Sequence, residues 1–175
     1  MPDMNTLGDM NTWGNAAMGI LTDDMRRVIG EQQLGFIATV CPDGTPNLSP
    51  KGTTAVWDDD HLVFADLCSP GTIANLRQNP ALEINVVDVL SRKGYRFKGT
   101  AAVLAAGAQF EALLAFYRQR GSTSEKRHIV LMKVAYAAPL ISPAYDSGQS
   151  EAQVSARWRH YWEELWDRDA GPPPR

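Results

Sequence analysis

Apolar residues along the chain switch between a helical spacing and a strand alternation, and the switches fall on residues that break regular structure. Thr22 precedes Asp23 and Asp24, and Met25, Val28 and Ile29 then share one helical face. That pattern predicts a capped helix over about 22–32, with acids at the positive end of its dipole. Leu34 to Val40 is a nearly continuous apolar run with β-branched residues, stopped by the turn tripeptide Pro42, Asp43 and Gly44. A return strand is expected from about Pro46 to Trp57. Asp58, Asp59 and Asp60 then turn the chain into a strand over His61 to Ala65, so that two successive hairpins form a meander.

Ser69 and Pro70 open a short helix, serine as cap and proline at the first helical position, and Asn79 with Pro80 closes it. Residues 81–89 have strand composition. From Tyr95 to Leu104 the chain alternates, with Tyr95, Phe97, Gly99, Ala101 and Val103 on one face and Arg96, Lys98 and Thr100 on the other. A helix over about 108–119 carries Phe110, Leu113, Leu114 and Tyr117, and a strand follows over 128–136. The last helix, about 149–167, carries an aromatic stripe of Trp158, Tyr161, Trp162 and Trp166, with Val154 and Leu165, which reads as core or dimer packing. The elements together predict a mainly β, antiparallel barrel with peripheral helices. One domain is expected over 20–168, between a loosely attached arm (1–19) and a frayed tail (169–175). The arm contains an imperfect tandem, Asp3 to Gly8 and Asp9 to Gly14, too short for a solenoid.

Composition removes several function classes. A formal charge of −3 suits no polyanion, which argues against nucleic acid as a partner. Cys41 and Cys68 form neither a CxxC pair nor a cluster with histidine, so disulfides and zinc are not expected. No apolar run is long enough for a membrane helix and the opening lacks the order of a secretory signal, so a cytoplasmic location is expected. His61, His128 and His160 lie near no nucleophile motif. The three aspartates at 58–60 read as a solvated turn rather than a metal site, and neither a GxGxxG nor a P-loop is present.

What remains suits a phosphate. Ser69, Gly71 and Thr72 place exposed N–H groups and two hydroxyls at a helix start. The preceding strand, Asn47 to Thr54, holds a charged Lys51 among small residues where half-burial is expected, and such a lysine needs an anion or an electron-rich acceptor. Arg92, Lys93, Arg96 and Lys98 form a second basic group.

Phe36 to Val40, Asp43 to Pro46, Ser49 to Gly52, Leu62 to Ala65, Ser69 to Leu76, Asn79–Pro80 and Lys98 to Ala101, in that order, resemble the pyridoxamine 5'-phosphate oxidase-like FMN-binding split barrel. The resemblance covers about 22–135 and implies a homodimer with two FMN molecules at the subunit interface. By position it implies that Ser49, Pro50, Lys51, Gly52, Thr53 and Thr54 contact the flavin ring and phosphate, as do Ala65 and Asp66. Ser69 and Thr72 resemble the phosphate-binding helix start, and Lys93, Gly94, Tyr95 and Arg96 the part given by the partner chain. Two departures stand out. True oxidases of vitamin B6 carry an Arg-Lys pair where this chain has Ser69-Pro-Gly-Thr72, so the phosphate's cation must come from elsewhere, with Lys51 as candidate. Their Trp and Arg-Leu-Pro ending is not recognisable around Trp158 to Trp162. The expectation is an FMN-dependent oxidoreductase of unknown substrate. The alternatives are a non-enzymatic FMN or haem carrier and, third, an oligonucleotide-binding barrel stacking bases on Tyr95 and Phe97.

Overall fold

The computed structural model describes residues 19–169. Its elements follow the expected order: α1 (Asp23–Gln32), β1 (Gly35–Val40), β2 (Pro46–Lys51), β3 (Ala55–Val56), β4 (His61–Asp66), α2 (Pro70–Gln78), β5 (Ala81–Asp88), β6 (Lys93–Leu104), α3 (Ala108–Gln119), β7 (His128–Ile141), a 3-10 turn (Pro143–Ser147) and α4 (Glu151–Asp169). Apart from Gly19 and Asp169, the expected arm and tail lie outside the described residues. Thr22 caps α1 as expected, its hydroxyl accepting from the Met25 N–H at 3.3 Å.

All strand pairs are antiparallel, in the order β2-β1-β5-β6-β7-β4-β3. The expected strand from Pro46 to Trp57 is in fact two. It breaks at Gly52–Thr54, and its halves join opposite edges of the sheet, β2 beside β1 and β3 beside β4. The two hairpins are therefore not a local meander. This break dictates the shape. Laid flat, seven strands would hold their outer members about 29 Å apart at about 4.8 Å per spacing. The link from Lys51 to Ala55 reaches about 14 Å at most. The sheet must curl on itself, and the result is a split barrel with peripheral helices.

The barrel interior holds Ile37, Leu62, Phe64, Ile84, Val86, Phe97, Val130 and Met132, all fully buried, and α1 adds Met25, Val28 and Ile29 to the same cluster. Burying such side chains stabilises the fold by about 1.5–3 kcal/mol each. A second cluster lies on the other face of β4 and β7, where Val63, Ala65, Ile129 and Leu131 pack on Phe110, Leu113 and Tyr117 of α3. Strand β4 is thus covered on both faces, which accounts for its unbroken apolar run. In β6 the predicted alternation holds, with Phe97 buried and Lys98 and Thr100 exposed. Gly94 faces a close backbone approach: a Cβ there would sit 2.0 Å from the Val86 carbonyl oxygen.

Strand β7 runs five residues past its expected end at 136. The aromatic stripe of α4 is not part of the barrel core. Val154 is buried, but Tyr161 and Trp166 are 44% and 66% exposed, and the rings stack mainly on one another along the helix.

Candidate functional site

Strand alternation turns Asn47, Ser49 and Lys51 of β2 inward and leaves Leu48 and Pro50 outside. Lys51, the last residue of the strand, is only 6% exposed. Its ammonium donates to the hydroxyl of Ser49 and, at 2.7 Å, to that of Ser69. No carboxylate forms an ion pair with it among the described residues. Burial lowers the Lys51 pKa, against the opposing charge of Asp66.

The link that follows is fixed by its own hydroxyls. Thr53 Oγ1 accepts the Ala65 N–H at 2.9 Å and donates to the Ala65 carbonyl at 3.2 Å, splicing the link onto the edge of β4. Thr54 Oγ1 donates to the Lys51 carbonyl at 2.9 Å, and the Tyr117 hydroxyl donates to the Thr53 carbonyl at 2.8 Å. Burial pushes the Tyr117 phenol well above its usual value. Gly52 has open space around its Cα, and the Ala65 methyl packs toward α3. Neither the Thr53 nor the Thr54 hydroxyl is left free, so both act on backbone geometry.

Ser69 stands at the N-cap of α2 without capping it, because its hydroxyl is turned to Lys51. Asp66, 4% exposed, takes over part of that duty: its Oδ1 accepts the Ser69 N–H at 2.7 Å. Its Oδ2 lies 3.2 Å from His128 Nδ1, and Arg77 Nη2 lies 3.0 Å from His128 Nε2. A guanidinium only donates, so Nε2 must accept and the ring proton sits on Nδ1, pointing at Asp66. Thr72 is buried at 3% exposure and does not join this hydrogen-bonded chain. Beside the start of α2 opens a pocket of about 240 Å³ whose walls include Asp66, Ser69, Ile73, Arg77, Arg127 and His128.

Ser49 and Lys51 from the end of β2 and Asp66 and Ser69 from before α2 are thus joined in one hydrogen-bonded chain. Lys93, Gly94, Tyr95 and Arg96 are not brought to it. Lys51 pairs with Gly35 and Tyr95 with Val86, so β1 and β5 stand between them, about 14 Å of sheet. Lys93 is ion-paired with Glu151 at 2.7 Å, its ammonium 4.4 Å from the Tyr145 ring centre. The Tyr95 hydroxyl donates to Asp24 Oδ2 at 2.5 Å, a contact that raises the phenol's pKa and lowers the carboxyl's. Arg96 is on the outer face, 2.6 Å from Glu83 Oε1 but out of line for a hydrogen bond. Lys93, Gly94 and Tyr95 line a separate cavity of about 300 Å³ with Asp24, Arg27 and Glu151.

Arg77, Arg127 and His128 were not singled out from the sequence as site residues. Arg77 is a basic residue in the last turn of α2, and the contact of His128 with Asp66 depends on the pairing of β4 with β7 across 62 residues.

A family model for pyridoxamine 5'-phosphate oxidase matches residues 21–140. The chain belongs to the pyridoxamine 5'-phosphate oxidase family. HupZ from Group A Streptococcus is 32% identical, with a TM-score of 0.64 over 70% of this chain and 96% of that one. An FMN-binding protein from Syntrophomonas wolfei shares the fold at 19% identity and a TM-score of 0.57, over 68% of this chain and 85% of that one. An F420 reductase does so at 18% identity and 0.53, over 67% and 98%. No curated protein matches the chain. The match to the pyridoxamine 5'-phosphate oxidase family ends just before the 3-10 turn, so α4 lies beyond the part shared with it.

Proposed function

We propose that the chain is an FMN-binding flavoprotein that acts as an FMN-dependent oxidoreductase on a substrate still to be found. The observation that carries this reading is the buried, unpaired ammonium of Lys51. A cation so placed, held by two hydroxyls and no carboxylate, fits an electron-rich or anionic group and little else. The barrel family it sits in supports the choice of a flavin. Bound FMN would supply hydride transfer.

The chain's own residues would orient and stabilise. Ser49 and Ser69 fix the Lys51 ammonium, leaving one of its three N–H bonds for a ligand that carries or develops negative charge. Thr53 and Tyr117 hold the neighbouring backbone rigid, so the cation need not reorganise when charge appears.

The same reading takes the functional unit to be a cytoplasmic homodimer with cofactor at the subunit interface. The outer face of β2, β1, β5 and β6 supports a dimer. Across it Leu48, Phe36 and Val40 are 65%, 40% and 40% exposed, beside Glu83, Arg96 and Lys98, an apolar patch with a charged flank. In such a dimer Lys93 to Arg96 of one protomer would approach the flavin of the other. Among the described residues, no helix is long and apolar enough to cross a membrane.

Titration of the full chain with FMN, followed by anaerobic addition of reduced nicotinamide, tests the proposal. Bound flavin that loses its visible absorbance at a catalytic rate supports an oxidoreductase. Flavin that binds but stays oxidised identifies a carrier.

A further inference from the structure

Helix α4 carries a face that its own chain leaves uncovered. The body holds the helix by its first two turns: Val154 is fully buried, Lys93 pairs with Glu151 at 2.7 Å, and the Arg92 guanidinium lies 4.1 Å over the Trp158 ring. Beyond Trp158, no described residue of α4 makes a hydrogen bond or ion pair outside the helix. Tyr161 and Trp166 are exposed there, and Trp166 stands about 18 Å along the axis from Val154. Glu163 and Asp167 flank the rings, one step round the helix from Trp162 and Trp166. Both are exposed, and neither has an ion pair among the described residues.

The outer face of β2, β1, β5 and β6 has the matching character. Ala38, Val40, Pro46 and Ala81 line a shallow apolar groove of about 360 Å³, with Glu83 and Lys98 at its edge. Arg96 and Lys98 share the one carboxylate of Glu83, at 2.6 and 3.5 Å, so a positive charge is left over beside the groove. An apolar groove with a surplus cation therefore faces solvent on the same chain as an aromatic stripe with surplus anions. With its first turns anchored, α4 leaves the groove of its own chain open.

We infer that α4 of each protomer lies across the outer face of its partner, with Trp166 seated in the partner's apolar groove and the acids at 163 and 167 beside Lys98. This rests on the dimer reading above and deepens it by naming what covers the face. Stripe and groove belong to one chain, so two copies exchange them about a two-fold axis and the assembly closes as a dimer. One helix face on one groove buries less than the roughly 1,600 Å² of a standard interface, and the two-fold doubles it. A tryptophan in an apolar groove is also the kind of anchor that carries most of an interface's affinity.

Sedimentation equilibrium of the full chain measures the contact. Trp166 and Val40 are both exposed, so truncating either leaves the protomer's core intact. Trp166→Ala is expected to weaken the dimer about tenfold to a hundredfold, the scale of an aromatic hot spot. Val40→Ala should weaken it less, and the double variant should fall little below Trp166→Ala, because a ring already removed has no groove wall to lose. A dimer that Trp166→Ala leaves unchanged would overturn the docking and give the stripe to a different partner. Losses that simply add in the double variant would overturn it too, by placing α4 on another surface of the second copy. In both cases the dimer itself stands. A wild-type chain that stays monomeric removes the dimer and the docking together.

Discussion

The ammonium of Lys51 and the hydroxyl of Ser69 meet at 2.7 Å, tying the end of β2 to the start of α2 across 18 residues of sequence. Lys51→Met keeps the shape of the stem and removes the charge. Flavin affinity, for FMN and riboflavin alike, is expected to fall about tenfold to a hundredfold, the scale of a hydrogen bond to a charged group. Stability should stay within about 1 kcal/mol, because the lost bonds are offset by a desolvated charge no longer buried. Fluorescence titration and a melting curve read both quantities, and an unchanged affinity removes Lys51 from the site.

Burial lowers the Lys51 pKa below the ordinary lysine value of 10.5, so the folded chain gives up this proton before the unfolded chain does. Between the two values the unfolded state binds more protons, and the contribution of Lys51 to stability rises with pH. Flavin affinity goes the other way, since the cation is what is lost. Wild-type affinity should decline on the alkaline side before pH 10.5 and Lys51→Met should lack that decline; parallel profiles would show that Lys51 does not titrate against the ligand.

Gly94→Ala is expected to cost about 3 kcal/mol, because the new Cβ would overlap the Val86 carbonyl oxygen and force β5 from β6. Gly71→Ala, in open space in the first turn of α2, should be neutral or stabilise by up to about 1 kcal/mol. Urea unfolding of the pair separates a close backbone approach from a merely permissive glycine. Equal effects would contradict the packing described for β6.

Leu48→Lys places a charge on the outer face of β2 without touching the core. Monomer stability should change by no more than about 0.5 kcal/mol. Sedimentation equilibrium should show the proposed dimer in the wild type and monomer in the variant; a dimer that survives the substitution assigns the interface to another surface.

The sequence reveals element type more readily than element partners. Thr22, Pro42 to Gly44, Pro70 and the alternation of β6 act locally, through a cap, a turn, a helix start and side-chain direction, and each element forms where those signals stand. The break at Gly52 to Thr54 is not local. Thr53 leaves the strand because Ala65, twelve residues on, offers both its backbone groups, and no periodicity encodes that exchange. The candidate site divides in the same way. Lys51 stands out as a charge in a half-buried strand, whereas Arg77, Arg127 and His128 acquire meaning only when β4 pairs with β7. The α4 stripe has helical spacing but, among the described residues, no face that buries it, which periodicity cannot distinguish from a core helix.

Equilibrium dialysis of the purified full chain against FMN, with Lys51→Met alongside, tests the Lys51 site most directly. One flavin retained per wild-type chain, and clearly less by the variant at the same free concentration, is the expected result. A wild-type chain that retains no flavin, or a variant that retains it equally, would contradict a flavin site built on Lys51.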